Sequence, residues 1–410
     1  MKQDAARAAM VPGDLPRVAC AFAGFFLLLC SYYILRPVRD EMAVRFGTGK
    51  LQWLFTATFL FTLLVVPLFG WAVRTLPRRR VLPLVYGFLA VNLAGFQAVF
   101  SGGATPAAAA AFFVWLSVFN LFIVSLFWSR MGDCFTSEES HRLYGYIAAG
   151  GTCGALAGPA TTALLARQLS AAGLIALSTA LLVLAMACLL PLRAHGRAAD
   201  QSARPVGGSI VAGIPLVAGM PDLRALALLV LCYTAVSTTL YMEMVRAVGA
   251  AFGAAGDRTR FFASVDLAVN LLALGLQLLG TRRLVVRFGL RIALPLVPLL
   301  VGAGLVLLGI WPAIAVIACL QVAHRAGEYA LGKPGREMIY TGLDAESRYK
   351  AKNFIDTAVY RGGDAASAWG IAALRSAGLD AVFFAALPAA LAWVATARRL
   401  GARHDRNQST

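Results

Sequence analysis

Charge is scarce in this chain: of 410 residues only 14% are Asp, Glu, Lys or Arg, against about 25% in ordinary soluble domains, while 59% are hydrophobic. That shortage excludes an ordinary soluble enzyme. Acidic residues are the scarcer sign, 20 against 37 Lys and Arg, leaving a formal net charge of +17. Cysteine is present but without paired spacing: Cys20, Cys30, Cys134, Cys153, Cys188, Cys232 and Cys319 are scattered mostly through apolar segments, which reads as packing rather than disulfides or metal ligation. His141, His195 and His404 fall in polar breaks with no metal-ligand spacing. A phosphate-cradling loop is missing too, because "GKPG" at 332 to 335 lacks the glycine spacing and the following Ser or Thr. No nucleophile stands with a base. These absences point away from an ATP-hydrolysing motor, a metal, a cofactor or an enzyme.

What the chain has instead is long apolar runs. A bilayer-crossing helix needs about 20 mostly apolar residues. Twelve candidates centre on residues 18 to 36, 52 to 73, 81 to 101, 107 to 130, 144 to 166, 171 to 192, 223 to 245, 261 to 281, 289 to 309, 312 to 332, 352 to 374 and 379 to 397. The N-terminal run is too long for a secretory signal and lacks a small-residue cleavage pattern, so it counts as the first span. Arginine clusters at 74 to 80, 193 to 197, 282 to 291, 347 to 352 and 398 to 406 then share one side with the N-terminus, whereas the breaks at 102 to 106 and 310 to 312 carry no charge. By the positive-inside rule both termini are cytoplasmic. The basic balance is therefore topology: the expected partner is the lipid bilayer, not nucleic acid.

The longest polar break, over 193 to 222, reads as a cytoplasmic linker between a six-helix bundle at 1–192 and another at 223–410. The halves echo each other. "RTLPRRRVLP" at 74 has a counterpart in "RFGLRIALP" at 287, and "EESHRLYGYIAAGG" at 138 in "AESRYKAKNFIDTAVYRGG" at 345, about 207 to 213 residues apart. A duplicated unit with cytoplasmic termini predicts an all-α membrane protein, a pseudo-symmetric six-plus-six bundle like that of the major facilitator superfamily.

Charges inside these spans need an explanation, since each one at mid-bilayer costs about 2.5 to 3.5 kcal/mol. Eight facing lipid would cost roughly 20 to 28 kcal/mol, more than the net stability of a folded domain. The first span ends in "SYYILRPVRDEM", with Arg36, Arg39, Asp40 and Glu41; Glu243 and Arg246 end the seventh; Asp266 enters the eighth. His324, Arg325 and Glu328 lie in the tenth, and Asp356, Arg361 and Asp364 in the eleventh. Spacings of three and four place Arg36, Arg39 and Asp40 on one helix face, and His324, Arg325 and Glu328 on another. Pro37 can bend the first span and free a carbonyl. Pairs such as Arg36 with Asp40, Arg325 with Glu328 and Arg361 with Asp364 are open to two readings, structural locks or state-dependent gates, with Asp356 a further gating acid. Arg39 and Arg336 lack an evident local partner, which suits bidentate binding of phosphate or carboxylate. Gly150, Gly154 and Gly158 form a doubled GxxxG, the signature of close helix contact. Trp115, Trp128, Tyr32, Tyr33 and Tyr241 read as packing or interfacial anchors.

"LRPVRD" (35 to 40), "VWLSVFNLFIVSLFW" (114 to 128), "STTLYMEMVRAV" (237 to 248) and above all "GREMIYTGLDAESRYKAKNFID" (335 to 356) resemble the nucleotide transporter family, the ATP/ADP translocases of plastids and intracellular bacteria. Arg39 and Arg336 stand where that family has lysine, Glu243, Lys352 and Asp356 fit its pattern, and Phe113 replaces an acidic residue. The resemblance implies a multi-pass inner-membrane secondary transporter, monomeric, moving an anionic nucleotide or related phosphorylated metabolite by alternating access without hydrolysing it. Arg36, Arg39, Glu243, Arg325, Arg336 and Arg361 would bind substrate around a shared positive chamber. The alternatives are a carrier of another amphipathic anion, such as a lysophospholipid, and a non-transporting assembly factor or receptor.

Overall fold

The computed structural model describes residues 14–76, 78–192, 213–341, 344–379 and 381–409. The expected linker lies outside the described residues up to 212, and from Gly213 the chain is already helical. Six helices come first: α1 (Leu15–Phe46), α2 (Leu51–Thr75), α3 (Arg78–Ser101), α4 (Pro106–Cys134), α5 (Ser137–Leu165) and α6 (Ala171–Leu189). The short α7 (Gly213–Gly219) precedes α8 (Pro221–Ala251) and α9 (Ala255–Leu276), and a π-helical turn, Gln277–Thr281, joins α9 to α10 (Arg282–Phe288). Next come α11 (Leu290–Ala293), α12 (Leu296–Ile310) and α13 (Ile314–Gly327), then a second π turn, Glu328–Gly332, running into α14 (Lys333–Tyr340). Finally α15 (Ala345–Phe354) passes through a third π turn, Ile355–Val359, into α16 (Tyr360–Ser376), followed by α17 (Val382–Ala385) and α18 (Leu387–Ser409). No strand occurs among the described residues.

Nine helical stretches among the described residues are long and apolar enough to cross a membrane. The three other expected spans coincide with α5 and with the unbroken helical stretches 314–340 and 345–376. These are long enough but more polar: α5 carries the glycine face, and the other two carry His324, Arg325, Glu328, Arg336, Asp356, Arg361 and Asp364.

Local chemistry sets the helix ends. Thr105 caps α4 by accepting from the Ala108 N–H, with Pro106 in the first turn where its missing N–H costs nothing. Ser170 caps α6 and Asp344 caps α15 in the same way. Chain reversal after α10 uses Gly289 at φ +70°, a left-handed conformation that favours glycine. There the Asp405 carboxylate of α18 accepts from the Leu290 and Arg291 N–H groups, both at 3.0 Å, satisfying the start of α11.

Helix α5 opens on a capping box: Thr136 accepts from Glu139 N–H while the Glu139 carboxylate accepts from Thr136 N–H at 2.8 Å. Arg17 adds an ion pair to Glu139 at 2.8 Å. Burial alone would raise the Glu139 pKa, but the Thr136 N–H and the Arg17 guanidinium outweigh it and hold the carboxyl below its ordinary value. A lowered folded-state pKa stabilises the fold above the unfolded carboxylate value and loses that contribution as pH falls through the folded one. Glu139→Gln is therefore expected to lower the melting temperature at neutral pH and to have little effect at strongly acid pH. Thermal melts of detergent-solubilised protein across pH check it, and an equal deficit at all pH would refute the charge argument.

Close contacts divide the chain into two compact units. One spans Met1–Arg45, Val66–Pro205 and Ala254–Leu267, and the other Phe46–Val65, Val206–Gly253 and Ala268–Thr410. In the first, α5 lies directly on α1. A Cβ on Gly150, Gly154 or Gly158 would meet the carbonyl oxygens of Phe22, Phe26 and Cys30 at 2.4, 2.3 and 2.8 Å. The four-residue glycine spacing thus tracks a four-residue carbonyl spacing on the partner, as backbone-to-backbone packing requires. Ser31 and Ser178, both fully buried, clasp α1 to α6 by hydrogen bonds of 2.8 to 3.0 Å. Tyr86 of α3 donates to the Ile123 carbonyl of α4 at 2.9 Å. Phe25, Phe127, Trp128 and Tyr144 form one run of ring contacts, and Tyr32, Phe119 and Trp115 another.

Candidate functional site

In the first unit the candidate residues cluster at the end of α1. Asp40 and Glu41 are 3% and 2% exposed and Asp266 of α9 is 1% exposed, so three carboxylates sit in an apolar setting that requires cations. The cations are at hand. Arg39 donates from Nε and Nη2 to Asp40 Oδ1 at 3.0 and 2.7 Å. Arg36 Nε lies 3.5 Å from Asp266 Oδ2, and Arg258 Nη2 is 2.8 Å from Glu41 Oε1, which Arg45 also approaches at 3.8 Å.

Two expectations need correction here. Arg36 reaches Asp266 on another helix rather than pairing with Asp40 one turn on. Arg39 has a dedicated partner after all, its neighbour Asp40. The Phe113 ring lies 5.1 Å from the Arg39 guanidinium carbon and covers the cation with a π face. Arg258 was missed from the sequence. Its signal was a cation just inside α9 facing the acidic end of α1, a relation only the fold reveals.

In the second unit Glu243, 6% exposed, is a doubly held carboxylate. Arg246 Nη1 is 2.8 Å from Oε1 and Arg375 Nη2 is 2.5 Å from Oε2. Arg246 also donates to the Thr48 carbonyl at 3.2 Å. Arg375, near the end of α16, was another residue the sequence reading passed over, being a lone arginine with no local partner. Asp364 accepts from Thr238 Oγ1 at 3.0 Å and lies 3.8 Å from Arg361 Nη1, whose guanidinium carbon is 5.7 Å from the Tyr360 ring.

The densest cluster surrounds Glu328. Arg336 Nη2 donates to Glu328 Oε1 at 2.6 Å, with the arginine 6% and the glutamate 1% exposed. This too differs from the expected in-helix pair of Arg325 with Glu328, and it gives Arg336 a partner. The eight-residue separation works because Glu328 opens a π turn, whose wider winding brings it over Arg336 in the following helix; π turns recur at functional sites. A Cβ on Gly332 would lie 2.0 Å from Glu328 Oε2, so only glycine leaves room for the carboxylate. The pair is half satisfied: Glu328 Oε2 and Arg336 Nη1 are buried without hydrogen-bond partners, as are Tyr340 Oη and both ring nitrogens of His324. His324 stacks on Tyr233 at 5.2 Å and 15°, with Trp393 edge-on at 5.8 Å, and Arg336 lies 5.9 Å from the Tyr233 ring centre. Arg325 is buried beside His324. Asp356, in the third π turn, and Lys352 complete the charge around Arg336, with Lys352 bound to Glu337 at 2.5 Å.

A π turn frees carbonyls from the helical ladder, and here a second π turn satisfies them. Gln277 Nε2 donates to the Tyr329 carbonyl at 3.0 Å and Thr281 Oγ1 to the Ala330 carbonyl at 3.1 Å. These two side chains hold the turn that presents Glu328. Thr281→Val combined with Gln277→Leu is expected to destabilise the protein by roughly 1 to 3 kcal/mol, the cost of leaving carbonyls unpaired. A melting temperature within error of the parent would refute the support.

Arg39 and Arg336 belong to different compact units, each with its own buried carboxylate. Among the described residues no group of three or more His, Cys, Asp or Glu is placed to hold a metal.

No family model and no curated protein matches the sequence. Solved structures do. The nucleoside transporter NupG superposes with a TM-score of 0.65 at 13% identity, covering 96% of this chain and 99% of that one. A D-xylose-proton symporter gives 0.67 at 14%, covering 94% and 97%. The POT family transporter PepTSo gives 0.64 at 14%, covering 96% and 98%. At such identities the likeness shows the fold: the chain is all-α among its described residues, with helices long and apolar enough to cross a membrane, and folds as these solved transporters do.

Proposed function

We propose that this protein is a secondary transporter, not an enzyme, and that it moves an organic anion, a nucleotide or related phosphorylated metabolite, across a bacterial-type inner membrane by alternating access. The observation that carries the reading is Arg336: a guanidinium 6% exposed within a membrane helix bundle, with Nη1 unsatisfied beside a carboxylate that occupies only its other nitrogen. An arginine kept in an apolar interior with donors to spare fits phosphoryl or carboxylate oxygens. That solved transporters share this fold, a nucleoside carrier among them, supports the transport class. The resemblance of residues 335–356 to ATP/ADP translocases supports the nucleotide.

In this reading the moving bodies are the sequence halves 1–192 and 223–410, with both termini cytoplasmic and the chain working as a monomer. Among the described residues, ion pairs between the two sequence halves include Arg36 with Asp266, Glu41 with Arg258, and Arg167 with Asp257 at 2.7 Å. All three lie within the first compact unit, where residues 254–267 of the second half pack with the first, so a rocking of the halves would have to break and remake them. Arg325 and Arg361 extend the positive field, Asp356 and Asp364 gate it, and Glu243 anchors Arg246 and Arg375.

Counterflow of labelled ATP or ADP into proteoliposomes is the test. Uptake driven by internal nucleotide and lost in Arg336→Ala is the expected result. No uptake with any internal counter-substrate would overturn the nucleotide reading, and undiminished uptake in Arg336→Ala would overturn the site.

A further inference from the structure

Several polar side chains on the membrane helices of the first unit close on their own helix. Asn92 of α3 donates to the Phe88 carbonyl at 2.7 Å, Ser117 of α4 to the Phe113 carbonyl at 2.8 Å and Thr179 of α6 to the Ile175 carbonyl at 2.8 Å. Asn120 does not. Its amide has no hydrogen-bond partner among the described residues, although it belongs to the middle residue of the 29-residue α4, at the depth where secondary transporters place their cargo. The residue is half-buried, so its side chain reaches the surface of the unit. An unpaired amide is costly in hydrocarbon, and an asparagine turned to lipid would bond its own helix as Asn92 does. Asn120 therefore faces water or a polar ligand.

Three contacts fix what stands beside it. Along α1, Phe25, Tyr32 and Arg39 meet in turn Phe127 at 4.2 Å, Phe119 at 6.4 Å and Phe113 at 5.1 Å, so α1 and α4 run antiparallel. Asn120 follows Phe119 directly and stands at the level of Tyr32. It also shares a helix face with Phe113 and Ser117, about 10 Å along the axis from Phe113 at 1.5 Å per residue. On α1, Tyr32, Arg36 and Arg39 form the matching stripe. Guanidinium groups thus mark one end of this wall, the Tyr32 ring and the Asn120 amide the other, and all four side chains are half-buried.

The two ends suit different parts of one molecule. Guanidinium groups take phosphoryl oxygens. A neutral amide has N–H donors beside a carbonyl acceptor and pairs twice with a group that donates and accepts side by side, as adenine does through its amino group and N7. We infer that Asn120 reads the base of a nucleotide cargo: the adenine amino group donates to the Asn120 carbonyl oxygen, N7 accepts from the amide N–H, the Tyr32 ring flanks the base, and the phosphates run toward Arg36 and Arg39. The inference rests on the nucleotide reading above and adds the residue that selects the base.

The test measures affinities from ligand-dependent melting of the full-length detergent-solubilised protein. The probes are ADP, adenosine, purine riboside, which lacks the amino group, and pyrophosphate, which lacks the base. Wild type is expected to bind adenosine about 10- to 100-fold more tightly than purine riboside, the worth of one bidentate pair. Asn120→Leu is expected to lose that preference and to weaken for ADP by the same factor, while pyrophosphate affinity stays at the wild-type value. A merely structural role would weaken all four probes together, and that result overturns the inference.

The wild-type comparison needs no variant to fold, and equal affinity for adenosine and purine riboside overturns the inference by itself. So does an Asn120→Leu protein that keeps its full affinity for adenosine and ADP. The nucleotide reading fails separately. Adenosine bound in an Asn120-dependent manner, with no gain from the phosphates of ADP and no pyrophosphate binding, supports the base site and overturns the anion; ADP and pyrophosphate bound equally well, with adenosine unbound, does the reverse.

Discussion

Gly154→Leu is expected to abolish recovery of folded, monodisperse protein. A Cβ at this position would lie 2.3 Å from the Phe26 carbonyl oxygen and 3.0 Å from the Cys30 amide nitrogen, so the first added atom already collides with backbone. Backbone cannot yield as a flexible side chain does: helix α1 would have to move away along the whole glycine face, losing the Gly150 and Gly158 contacts with it. Overpacking typically costs 1 to 3 kcal/mol, and a rigid obstacle places this case at about 3 kcal/mol or above. Gly95→Ala on α3 is the control. Nothing lies within 4 Å of its Cβ position, so replacing a helix-interior glycine should be neutral or stabilise by about 0.5 to 1 kcal/mol. Size-exclusion profiles and thermal melts decide the matter, and equal behaviour of the two variants would refute the packing account.

Arg336→Ala is the second large effect. It strands Glu328, 1% exposed, without its cation, and removing one partner of a buried pair costs about 3 to 5 kcal/mol. Adding Glu328→Gln should recover most of that loss, because a neutral amide needs no counter-charge. Lys352→Ala supplies the contrast. Its pair with Glu337 is as short, 2.5 Å, but the side chains are 39% and 54% exposed, so the loss should be about 0 to 1 kcal/mol. A double-mutant cycle on melting temperature and counterflow checks both. Additive losses at Arg336 and Glu328 would show that the 2.6 Å contact carries no coupling.

Much of this was legible in the residues. The spans were read from apolar length alone, and the three that fall short of the apolar criterion, around 144 to 166, 312 to 332 and 352 to 374, do so because they carry glycine or charge. The Gly150, Gly154 and Gly158 face was recognisable because four-residue spacing on a helix defines a stripe before any partner is known. That Asp40, Glu328 and Asp364 would need cations also followed, since an ionised group in an apolar run has no other recourse.

Partner choice was not legible. Sequence spacing suggests Arg36 with Asp40 and Arg325 with Glu328, because helical neighbours three and four apart are the only proximities a sequence displays. The fold overrides both: Arg36 goes to Asp266 some 230 positions away, and a π turn carries Glu328 past Arg325 to Arg336. Arg258 and Arg375, which hold Glu41 and Glu243, had no acid three or four positions away in the sequence to mark them. Phe113 shows it from the other side: nothing in the sequence ties it to Arg39 until its ring is found against the guanidinium. The sequence by itself determined that the chain lives in a bilayer, where its helices run, and that buried charge must be answered by charge, since those follow from transfer energies of individual residues. Which charges answer which, and which are left with a valence unmet, only the tertiary structure decided, because helix contact and a single turn's winding set distances that no linear spacing contains.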